Sequence, residues 1–206
     1  MTSPYRFAFL AAPLLTFTYG VIRILDGLDG TRGPGPAWTT GHLAFIAAMA
    51  MFVSVFVQLR RLAGGNLLST VIMWVAITGA LALTGQFTVD IVAGFAADDH
   101  YAMSMITKEV HSIPVISLAI YDVGPYLFYL GQLALIIQLA VMRRVKVWTP
   151  VLVMTDLMMP FIDKDLIPLG AIVLFISFAP LARRPRNSAL LPPSSPLRDS
   201  PGFIAA

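Results

Sequence analysis

Residues 147–182 read VWTPVLVMTDLMMPFIDKDLIPLGAIVLFISFAPLA, apolar throughout except for Asp156 and the cluster Ile162 to Asp165. As one helix this stretch would be about 54 Å long, far more than the roughly 30 Å of a bilayer's hydrocarbon core. The cluster Ile-Asp-Lys-Asp, flanked by Pro160 and Pro168, is where a helix would break, because proline removes a main-chain donor and crowds the preceding turn. Two short helices joined by a tight turn satisfy the length. A re-entrant hairpin is the competing geometry. The choice sets the chain at six spans, with five, or four plus a dip, as the alternatives.

Upstream, the same ruler of about 20 apolar residues per span finds four more segments. The first runs from about Phe7 to Leu25, with no small-residue cleavage site, so it reads as an uncleaved helix. A Gly- and Pro-rich loop precedes the second, GHLAFIAAMAMFVSVFVQL, which stops at Arg60 and Arg61. The third starts near Leu67 and runs to Asp90 or beyond, and the fourth opens at Gly124-Pro125 and stops at Arg143 and Arg144. Ala44 with Ala48, and Ala76, Ala80 and Thr84, are rows of small residues that let helices approach closely. The expected fold is thus all-α, a polytopic transmembrane bundle over residues 1–182. Residues 183–206, rich in Pro, Ser and Arg, read as a disordered cytoplasmic tail.

Composition agrees. Of 206 residues, 57% are hydrophobic and 12% charged, about half the charge of an ordinary soluble domain. There is no cysteine, which removes thiolate chemistry and disulfides. With the amino terminus cytoplasmic, ten basic residues fall inside and only Arg23, Arg32, Lys108 and Lys164 outside, a marked positive-inside bias. Trp38 and Trp148 would then sit in the aromatic belts at the two interfaces.

The densest polar stretch, FAADDHYAMSMITKEVHSIP (95–114), places His100, Ser104, Thr107 and His111 on one helical face and Met103, Ile106 and Val110 on another. That pattern describes an amphipathic helix on the outer membrane surface. The two histidines, about 16 Å apart along such a helix, cannot share one ion. Arg23, Asp26, His42, Asp90 and Asp122 instead converge near the outer interface, with Gln86 one turn below Asp90. His42 and Asp90 are candidate bases, while Arg23, Asp26, Asp122 and Gln86 are candidate binding groups, and Arg23 could pair locally with Asp26. Asp156 is a third catalytic candidate, since an acid inside the membrane is costly to keep. Gln86, Gln132, Gln138 or Tyr129 could hydrogen-bond it. End-charges that merely orient helix termini would produce much of the same pattern.

By GPAWTTGHLAFIAAM (35–49) and GPYLFYLGQLALIIQLAVMRR (124–144), the chain resembles small multi-pass membrane proteins of GC-rich bacteria. The resemblance implies a bacterial inner (plasma) membrane and carries no activity with it. Small integral-membrane terpene cyclases are similar in size and span count, but they rely on acids within helices, where this chain offers only Asp156 and Asp90. Phosphate-loop, serine-hydrolase, zinc-protease and dinucleotide motifs do not occur. No metal, cofactor or nucleic acid is therefore expected, and the expected partners are membrane lipids and another membrane protein. The expected function is that of a non-catalytic accessory or structural membrane protein. The alternatives are an intramembrane enzyme acting on a lipid or isoprenoid from the outer half of the bilayer and a small proton-coupled transporter.

Overall fold

The structure, a computed structural model, describes residues 4–183, so all of the expected tail beyond Arg183 lies outside the described residues. The described residues are all-helical. The helices are α1 (Pro4–Asp26), α2 (Pro36–Leu62), α3 (Leu67–Ala96), α4 (His100–His111), α5 (Pro114–Val141), α6 (Trp148–Ile162) and α7 (Ile167–Ala182). Five are long and apolar enough to cross a bilayer, the last counted with the 3-10 turn Lys164–Leu166 before it, and α6 is a shorter apolar helix. Residues 147–182 therefore fold as an antiparallel hairpin broken at Asp163. This is a multi-pass membrane protein.

Local sequence explains the boundaries. Pro36 begins α2 where no donor is needed. Asn66 caps α3 by accepting from the Ser69 amide at 2.8 Å, and Asp99 caps α4 by accepting from the Ala102 amide at 2.8 Å. Gly64 and Gly65, at φ 84° and 65°, turn the chain between α2 and α3. Between α5 and α6 the same left-handed conformation falls on Arg143, at φ 56°. α3 is the longest helix at 30 residues, about 45 Å, which is longer than a bilayer core requires, so its last turns project out of the core or the helix tilts. Those turns meet α4, whose Met103 and Ile106 pack on Ala93 and Ala97. Met103 and Ile106, on the apolar face that the spacing predicts, thus turn onto the end of α3.

Six helices close a ring in the order α1, α2, α3, α5, α6, α7 and back to α1, and the contact between α5 and α6 is the sparsest. Small residues set the tightest joint. A Cβ at Gly131 would lie 2.7 Å from Ala76, and one at Gly124 would collide with Ala82. The Ala76–Ala80 row is thus the α3 side of a close backbone contact, whereas the Thr84 hydroxyl bonds its own helix at Ala80 O, 2.8 Å. The half of the ring nearer Arg60 and Arg143 is filled by Phe56, Leu59, Leu135, Ile136 and Leu139, all fully buried. The other half, toward Asp90 and Asp165, is not filled.

Candidate functional site

In that half lies a cavity of about 400 Å³. His42 on α2, Gln86 and Asp90 on α3, Asp156 on α6 and Arg23 on α1 all line it. Residues from four helices, far apart in sequence, thus come to one space. α2 and α6 are opposite members of the ring, so His42 and Asp156 address the cavity from opposite walls.

His42 is 5% exposed and tightly oriented. Its Nδ1 is 2.7 Å from the Trp38 carbonyl. A carbonyl oxygen can only accept, so Nδ1 carries the proton, and in the neutral ring Nε2 is left bare. Nε2 lies 3.7 Å from Asp90 Oδ2, where the carboxylate can balance a proton taken up by the ring. Trp38 supports the arrangement twice. Its Nε1 donates to the Asp90 carbonyl at 3.0 Å, and its ring lies 4.1 Å from that of His42. The indole is therefore turned into the bundle, unlike the belt position its sequence location suggests. Gly94 makes room for it, since a Cβ there would sit 2.9 Å from the indole.

Asp156 receives no hydrogen bond or ion pair at its carboxylate from the described residues. Gln86, Gln132 and Tyr129 share the cavity without bonding it, and Gln138 lies away, 3.4 Å from Asn66. Pro160, four residues on, has no N–H to give to the Asp156 carbonyl, so the main chain is also open there. Gly170 on α7 lets the carboxylate in, because a Cβ would lie 2.8 Å from Asp156 Oδ1. Gln132 is fully buried on the cavity wall, with neither amide oxygen nor nitrogen partnered, and the Tyr121 hydroxyl is likewise buried and unpartnered. Leaving such groups unmatched costs about 1–3 kcal/mol each, which is the demand a polar ligand would meet.

Arg23 does not pair with Asp26. Its Nε is 3.4 Å from Asp165 Oδ1, and Arg32 Nη2 reaches both oxygens of the same carboxylate at 2.8 Å. Packing of α1 on α7 brings Asp165 closer to Arg23's reach than the residue three places along its own helix. Asp26 lies beside the cavity, in a cleft of about 10 Å³ with Arg23 and Arg32, which holds one water at most. Asp122 is outside altogether. It is exposed in the π-helical turn Ser117–Val123, 3.4 Å from Ser117 Oγ, and that turn presents Tyr121 to the cavity instead. His100 and His111 are also apart from it. His100 bonds the Arg32 carbonyl, and His111 stacks on Tyr121 at 3.7 Å.

No family model, curated protein or solved structure matches this chain. The arrangement must therefore be read from its chemistry. What the sequence reading missed is aromatic. Tyr19, Phe45, Phe87, Phe128 and Phe161 line the cavity beside Trp38, with Phe45 and Phe87 stacked at 4.0 Å and Tyr19 edge-on to Phe87 at 5.2 Å. Apolar walls with a few convergent polar groups are the usual character of a small-molecule site. Ring faces also favour positive charge.

Proposed function

We propose that this protein is an intramembrane enzyme acting on a lipid or isoprenoid by acid–base chemistry, from the outer half of a bacterial plasma membrane, with both termini cytoplasmic. One observation carries the reading. His42, Asp90 and Asp156, the three ionisable residues costliest to place among apolar helices, line a single cavity. His42 Nε2 is the base, Asp90 balances the charge it acquires, and Asp156 exchanges hydrogen bonds or a proton with the ligand from the opposite wall. The aromatic walls would stabilise positive charge developing on an apolar substrate. Orientation rests on the basic residues, which gather at the filled end of the ring.

The half of the ring nearer Arg60 and Arg143 is filled by fully buried side chains, which favours chemistry at one face over transport across the membrane. An accessory protein, the remaining alternative, would not need an unpartnered Gln132 beside an unpartnered acid. The test is untargeted lipid mass spectrometry of membranes from cells expressing wild type, Asp156→Asn or His42→Ala at matched levels. At least one lipid species should rise or fall with the wild type alone. Identical lipid profiles in all three, with the variants folded, would remove the enzyme reading and return the protein to an accessory role.

A further inference from the structure

The joint between α5 and α6 is the sparsest in the ring, and aromatic rings bridge it beside the cavity. Phe161 lies 6.0 Å from Tyr126 and 5.6 Å from Tyr129, centroid to centroid. Phe161 lines the cavity and yet is 53% exposed, whereas Phe128, lining the same cavity, is 4% exposed. Phe161 is thus the far more open of the two rings, beside an exposed neighbour on α5. That neighbour is Tyr126, 54% exposed.

Both helices are weakened at this point. Pro160 leaves the Asp156 carbonyl without its helical donor one residue before Phe161. Pro125 lies two residues past the end of the π-helical turn Ser117–Val123 and four residues before Tyr129. The outer ends of α5 and α6 can therefore part with little loss of helical hydrogen bonding. On the bilayer side of the same seam runs an apolar groove of about 520 Å³, formed by Leu133 and Ile137 of α5 and by Met154, Met158 and Ile162 of α6. The methionines, unbranched and adaptable, suit a flexible chain. Polar groups awaiting partners lie in the cavity, and an apolar trough lies along the same two helices.

The geometry points to a lateral gate. A single-tailed lipid with an uncharged hydroxyl or carbonyl head passes its head between Phe161 and Tyr126 into the cavity and leaves its tail in the α5–α6 groove. This inference rests on the cavity being the working site and adds the substrate's shape and route. The head is matched to Gln132, whose amide offers one acceptor and one kind of donor, as an alcohol or carbonyl requires. The length of the groove, along nearly all of α6, is matched to one extended chain.

Because the chain has no cysteine, Tyr126→Cys with Phe161→Cys can pin the gate specifically. The full chain in lipid nanodiscs is offered a long-chain alcohol bearing a diazirine either beside the hydroxyl or at the tail end. Photolabelled peptides are then identified by mass spectrometry. The head probe should label cavity residues such as Tyr129 and His42, and the tail probe Met154–Ile162. Oxidising the pair should slow head labelling by about tenfold or more, and reduction should restore it. Pro160→Ala, which returns the missing donor, should slow labelling without any disulfide. Undiminished head labelling in both the oxidised pair and Pro160→Ala would overturn the gate, while the lipid differences caused by Asp156→Asn would stand untouched. Tail labelling spread evenly over the bundle would overturn the groove as the tail's site. If the head probe fails to reach the cavity even in the reduced protein, this substrate class is wrong.

Discussion

Replacing Gly79 with alanine tests the joint that sets the ring's geometry. A Cβ at Gly79 would fall on the main-chain nitrogen of Phe128, with Phe128 Cα 2.6 Å away and the Leu127 carbonyl carbon 2.7 Å away. These are backbone atoms that no rotamer change can move. Ordinary contact begins near 3.4 Å, so α3 and α5 would have to part by about 1 Å along the seam, opening the Ala76–Gly131 contact as well. Overfilling a packed interior costs about 1–3 kcal/mol, and a parted seam loses further contacts. Against this, alanine is favoured over glycine in a helix by about 1 kcal/mol. The net expectation is a loss of about 2 kcal/mol, or a fall of roughly 5 °C in melting temperature for a chain of this size. Gly85, two turns on in the same helix, is the internal control. A Cβ there meets only Ile120 Cδ1 at 3.5 Å, so Gly85→Ala gains helix propensity at no packing cost and should hold or raise Tm. Both variants are read by thermal unfolding in the same detergent, followed by circular dichroism. A Gly79→Ala protein as stable as wild type, or two variants shifted equally, would refute backbone-to-backbone packing of α3 on α5.

Two further substitutions probe the ends of the ring. Asp165→Asn removes the carboxylate shared by Arg23 and Arg32. The group is partly exposed, so stability should drop by no more than about 1 kcal/mol, but hydrogen exchange should quicken at residues 27–35 and 163–167. Unchanged exchange there would mean that the ion pairs do not hold the loop to α7. Arg143→Gly relieves a left-handed backbone that costs a side-chain-bearing residue about 1–2 kcal/mol, so Tm should rise by a few degrees. A fall would show that the arginine side chain does more for the turn than its backbone takes away.

The bundle was legible because lipid leaves few options for a backbone. Any apolar run must satisfy its own hydrogen bonds, so hydropathy and the prolines around Asp163 disclose the helices, including the broken hairpin. His42, Asp90 and Asp156 were legible for the same reason, being the groups a greasy helix tolerates least. The lateral partnerships were not. Arg23 has an acid three residues away and takes instead one that arrives from α7, a choice fixed by which helices close the ring. Asp122 was drawn into the site by its place just before Gly124-Pro125, but the π-helical turn, which no spacing rule anticipates, swings Tyr121 inward and Asp122 out. The aromatic wall was hidden most completely. In a membrane helix a phenylalanine facing lipid and one facing a cavity obey the same hydropathy, and only a neighbour's position distinguishes them. Phe161 is the sharpest case, because it lines the cavity and is also 53% exposed. Ionisable residues in such a chain therefore mark where a polar cavity is affordable, while the shape of that cavity is written in aromatic and proline residues that sequence cannot orient.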